Sequence, residues 1–130
     1  MAGETNLSKL LKGMTPKLNE GSYVFVTVTD PSVVERSDTL CEFKEAESTT
    51  LIIKQQKADE LLLKYDYVAS WISLEIHSSL DAVGLTAAFS NALAEHNISC
   101  NVVAAYYHDH IFVNKNDAEE AMNILSKFSD

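Results

Sequence analysis

Trp71-Ile72-Ser73-Leu74-Glu75-Ile76-His77 runs into Ser78-Ser79-Leu80-Asp81-Ala82-Val83-Gly84-Leu85, and the reading of this stretch decides the fold. Ile72, Leu74 and Ile76 alternate with polar residues, the period of a half-buried strand. A glycine turn follows. The next segment, from about Ala82 to His96, places Leu85, Phe89, Ala92 and Leu93 on one helical face. Asn97 suits the left-handed residue that ends such a helix. Two β-rich runs then meet at Tyr107-His108-Asp109-His110, and a last helix turns Ala118, Ala121, Met122, Leu125 and Phe128 inward. The order is strand, helix, hairpin, helix. Its Gly84 corner joins a strand end to a helix start, where unpaired backbone N–H groups can meet a small anion.

The same order recurs upstream in weaker form. Cys41 to Glu47 and Thr50 to Ile53 match Cys100 to Tyr106 and His110 to Val113, which puts Cys41 and Cys100 in equivalent places. Each hairpin precedes an acidic helix, around Ala58-Asp59-Glu60 and Asp117-Ala118-Glu119-Glu120. Each half opens on Ser-aromatic-aliphatic, Ser22-Tyr23-Val24 and Ser70-Trp71-Ile72. This pattern is an internal duplication. The first copy is degraded: Ser32 to Asp38 is too short for a crossover helix. A helix from Asn6 to Gly13, capped by Asn6, leads to a turn at Thr15-Pro16 and a strand from Ser22 to Thr29. The first hairpin, Leu40 to Lys54, turns at Glu47-Ser48-Thr49, and a helix covers Lys57 to Lys64. The fold class is α+β, two βαββα repeats with helices on one face of antiparallel sheets. The halves are 1–66 and 67–130. Each lacks one strand of a complete ferredoxin-like unit and is expected to borrow it from its neighbour.

The bulk properties narrow the partners. With a net charge of −9, the chain has no basic cluster fit for nucleic acid. No apolar run approaches the roughly 20 residues of a membrane span, and Met1 to Met14 has no secretory signal. A cytoplasmic location is the expectation. Two cysteines make neither a CxxC pair nor a four-ligand zinc site, and read as buried free thiols.

Leu80-Asp81-Ala82-Val83-Gly84-Leu85-Thr86-Ala87-Ala88-Phe89, followed by Leu93 to Val103, resembles an ACT domain. More closely, the chain resembles small bacterial tandem-ACT proteins of unassigned function, similar to the ACT pairs of eukaryotic arginine sensors. The resemblance implies ferredoxin-like repeats, pairing between domains, and a ligand held between the glycine turn of one unit and the adjoining strand of another. It makes the partner a free amino acid or similar small molecule, and the assembly a homo-oligomer, dimer or tetramer.

Carried over by position, the resemblance puts the ligand at Ser79, Asp81, Val83, Gly84, Leu85, Asn101 and Val102. Asp81 would accept from a ligand ammonium, or else cap the helix. The N–H groups of Val83, Gly84 and Leu85 would meet a carboxylate. Asn101 and Val102 would add side-chain and backbone contacts. The first half has no such glycine between Asp30 and Leu40. The expected function is a regulatory protein acting on a partner in trans; the alternative is a ligand-free interaction and oligomerisation module. No catalytic residue, metal or cofactor is assigned. His77, His108 and His110 offer only a remote metal or hydrolase site, because His108-Asp109 reads as the hairpin turn and breaks their alternation.

Overall fold

Strand β5 (Val68–Glu75) pairs with different neighbours along its length, through Val68 and Ala69 at its start and through Ile72 to Glu75 at its end. The computed structural model describes residues 6–76 and 83–130. Helix α1 (Leu7–Gly13) and strands β1 (Thr15–Leu18), β2 (Tyr23–Val28), β3 (Thr39–Lys44) and β4 (Thr49–Lys54) come first. Helix α2 (Gln55–Glu60), β5, helix α3 (Leu85–Ala94), β6 (Asn101–Ala104), β7 (Asp109–Asn114) and helix α4 (Ala118–Ser126) complete the order. Two compact units form, residues 1–20 with 70–130, and residues 21–69. No helix among the described residues is long and apolar enough to cross a membrane.

In the larger unit the strands lie in the order β1-β5-β7-β6. Ile72, Leu74, Ile111 and Val113 turn one sheet face toward α1, α3 and α4. Leu10, Phe89, Leu93, Ala121 and Leu125 close that core, each 2% exposed or less. Leu85, Phe89 and Leu93 form the buried stripe of α3, as their four-residue spacing requires. Ile124, one residue outside the stripe expected for the last helix, is buried too.

The ends of α1 and α3 follow local chemistry. Asn6 caps α1 by accepting from Lys9 N–H at 3.1 Å. After α3, Asn97 adopts φ 61°. Ile98 N–H then bonds back to the Leu93 carbonyl and Asn97 N–H to that of Ala94. These two bonds satisfy carbonyls that the helix leaves open.

The smaller unit repeats the sheet as β3-β4-β2-β5. Val24, Val26, Val28, Leu51, Ile53 and Ala58 form its core. Two short 3-10 turns, Pro31–Val33 and Arg36–Asp38, stand where the other unit has α3. The first repeat is therefore degraded at its crossover helix. Thr15-Pro16 is not a turn but the start of β1, whose Thr15 to Leu18 pair with Glu75 to Ile72. In the smaller unit the matching place beside β2 is taken by Val68 and Ala69. Each unit thus draws its fourth strand from the other half of the sequence.

Both hairpin tips differ from the expectation. In one, Glu45 N–H bonds the Ser48 carbonyl; in the other, Ala105 N–H bonds that of His108. The tips are Ala46-Glu47 and Tyr106-Tyr107, and Thr49 and Asp109 already belong to β4 and β7. The ladders also correct the equivalence of the cysteines. Cys41 pairs with Ile52, and the residue that pairs with Phe112 in the same place is Asn101. Cys100 lies one residue earlier and packs against the helix-side core. A slip of one residue exchanges the two faces of a strand. Before Cys41 the β3 pairing shifts by one residue, leaving Leu40 without a partner in β4.

Candidate ligand-binding turn

Gly84 has φ 93° and ψ −11°, a left-handed conformation that glycine adopts without the steric cost of a side chain. A Cβ there would come within 3.2 Å of Leu7 Cδ2. The turn therefore needs glycine for its backbone and fits closely beside α1. At the start of α3, Ala88 N–H bonds the Gly84 carbonyl at 2.9 Å. The N–H groups of Leu85, Thr86 and Ala87 precede it, and helix geometry gives them no partner. They carry the positive end of the helix dipole.

The expected site residues divide between elements. Val83 is 84% exposed beside the turn, and Leu85 is 4% exposed, its side chain spent on the core. Ser79 and Asp81 lie outside the described residues, as does His77. Val102 packs its side chain against the core of the larger unit. Counted from the Ala105–His108 bond, the alternation of an antiparallel ladder turns the Val102 backbone groups outward on the sheet edge. Asn101 shares the register of Phe112 and so lies on the face opposite the helices; its Nδ2 donates to the Phe112 carbonyl at 3.3 Å. Val83, Gly84 and Leu85 thus make one turn, while Asn101 presents its side chain on the other side of the sheet.

On that other face lies a polar cluster the sequence reading did not assemble. Trp71 Nε1 donates to His110 Nδ1 at 3.0 Å. Ser73 Oγ stands 3.2 Å from the same nitrogen and accepts from Asn19 Nδ2 at 2.9 Å. Burial holds the His110 pKa below its ordinary value; neighbouring His108 lowers it further and Asp109 opposes. Burial raises the pKa of Asp109, partly offset by His110. His108 Nδ1 is buried with no hydrogen-bond partner among the described residues. Counting the alternation back from Ile111 and Val113 would have put His110 on the Trp71 face; reading His108-Asp109 as the turn hid it. Among the described residues no group of three or more His, Cys, Asp or Glu side chains is placed to hold a metal ion.

The smaller unit has a cleft of about 410 Å³ whose lining includes Tyr23, Asp38, Lys54, Lys57 and Glu60. Lys57 lies 3.0 Å from Glu60 and 3.6 Å from Asp38, so these charges serve one another.

Comparison with known proteins agrees with this geometry in both halves. One ACT-domain profile matches residues 2–70 and a second matches residues 67–127. The crystal structure of a Vibrio cholerae protein of unknown function, described as a possible transport protein, is similar over 97% of this chain and 98% of its own. Its TM-score is 0.88 and its identity 44%. The ligand-free regulatory subunit of aspartate kinase from Thermus thermophilus is similar at TM-score 0.68 and 10% identity, over 91% of this chain and 100% of its own. Aspartate kinase from Clostridium acetobutylicum, described as an allosteric enzyme, is similar at TM-score 0.68 and 11% identity, over 91% of this chain and 34% of its own. These two likenesses are of fold. No curated protein matches the chain. With ACT-domain matches across both halves, the chain belongs to the ACT-domain family.

Proposed function

We propose that this protein is a regulatory module that takes up a free amino acid at the Val83-Gly84-Leu85 turn and acts on a partner protein in trans. The observation that carries the reading is the left-handed Gly84 opening α3, ahead of first-turn amides that have no partner within the helix. Such a corner suits a carboxylate. On this reading Asp81 receives the ligand ammonium, with Ser79 beside it. Val102 offers outward backbone groups, and Asn101 an amide, to a ligand held across an assembly interface. The outer edges of β3 and β6 suit pairing in a homo-oligomer, dimer or tetramer. The kinship in fold with a regulatory subunit supports a regulatory rather than a chemical role, and a cytoplasmic setting belongs to the same reading.

The test is thermal unfolding of purified protein, shown free of carried-over ligand, against each of the twenty amino acids at millimolar concentration. A ligand that binds only the folded state adds roughly 2.7 kcal/mol at 100 times its dissociation constant. One amino acid should raise Tm in the wild type and fail to do so in Asp81→Ala. A flat panel would leave the exposed β6 edge as the functional surface and favour the interaction-module reading.

A further inference from the structure

Trp71 and His110 face each other across β5 and β7 in a hydrogen bond that fixes the proton on the ring. An indole N–H can only donate, so His110 Nδ1 must accept and the ring proton sits on Nε2. Proton uptake at Nδ1 reverses that nitrogen's role. Two donors would then face each other across 3.0 Å. The protonated ring has a ready alternative, because Ser73 Oγ lies 3.2 Å from Nδ1 and can accept. We propose that the Trp71–His110 contact is a proton-operated latch on the sheet face opposite the helices: uptake of a proton at His110 Nδ1 transfers the ring from Trp71 to Ser73 and releases the indole.

The surroundings set the sense of the latch. Partial burial of His110 favours the neutral, closed form. His108, next along the strand direction with its ring centroid 6.5 Å away, also opposes a charge on His110. Asp109 favours that charge. From β1, Lys17 lies opposite Ser73 on the same face, and Glu75 is the following residue of β5 on that face. From β6, the residue opposite His110 is the uncharged Val103. Asn19 anchors Ser73 through Nδ2 and the strand through the Trp71 carbonyl, so the alternative acceptor stays in place when the indole leaves.

Trp71 is the single tryptophan of the chain, so its indole N–H gives one signal with no assignment problem. The experiment follows the ¹⁵N–¹H indole resonance of the whole protein through the histidine range of about pH 8 to 5. In the wild type the resonance should move through one transition with its midpoint below the ordinary histidine value. In His110→Gln, whose side-chain oxygen accepts but does not titrate, it should stay fixed; in His108→Gln the transition should persist. A wild-type indole indifferent to pH while the His110 ring titrates, or a transition surviving in His110→Gln, would overturn the latch. Should His110→Gln fail to fold, Trp71→Phe replaces it. Losing the indole donor should raise the His110 midpoint by about half to one pH unit, and an unchanged midpoint contradicts the proposal.

Discussion

Leu62 has φ 57° and an 88% exposed side chain, an arrangement that serves the backbone alone. It ends α2: Leu62 N–H bonds the Asp59 carbonyl and Leu63 N–H bonds that of Ala58. A left-handed conformation costs an L-residue about 1–2 kcal/mol, and glycine, though it loses more entropy on folding, escapes that cost. Leu62→Gly should therefore raise unfolding free energy by about 0.5–1 kcal/mol, measured by urea denaturation. Asp109 poses the opposite question, a carboxyl only 8% exposed. Its folded pKa is raised, so its contribution is fully present below the unfolded pKa and lost as pH rises through the folded one. Asp109→Asn should raise Tm at pH near neutrality and leave it nearly unchanged at the acid end, where both forms are neutral; equal effects at both ends would contradict this. The depressed His110 pKa works the other way: stability present above the unfolded value of 6.5 is lost as pH falls toward the folded one.

At the scale of elements, α3 depends on how it starts. Gly84→Ala forces a Cβ into φ 93°. Such strain costs of order 1–3 kcal/mol, while the 3.2 Å approach to Leu7 can be relieved by its flexible side-chain end. The loss should appear as a lowered midpoint in denaturant with an unchanged m-value. Periodicity made α3 and α4 legible, since Leu85, Phe89 and Leu93 had one possible inner face. It also gave β5, and β2 through Val24, Val26 and Val28. It could not give β1. Thr15 to Leu18 is a short strand with one proline and no alternation, and only its pairing with β5 makes it a strand. The hairpin tips were misplaced for a related reason. Tyr106 and Tyr107 have strand-like propensity yet form the turn, 71% and 66% exposed, because the ladder starts at Asp109. With the tip misplaced, the face shared by Trp71, Ser73 and His110 could not be read. Of the ligand turn, the glycine and its helix were legible from local pattern; the separation of Asn101 from it required the register of β6 against β7.

At the scale of the whole molecule, the duplication survives best where the sheet needs it. The strand orders β3-β4-β2-β5 and β6-β7-β5-β1 are the same arrangement twice, while the crossover helix is kept in one copy only. The glycine turn accompanies that helix, so the proposed amino-acid site falls once per chain, at Gly84. The direct measurement is an amide ¹⁵N–¹H spectrum of the protein with and without a mixture of the twenty amino acids at saturating concentration. Shifts should concentrate at Val83 to Ala87, with Val102 responding if the ligand bridges protomers. Shifts confined to the smaller unit, or a spectrum unchanged by the mixture, would contradict it.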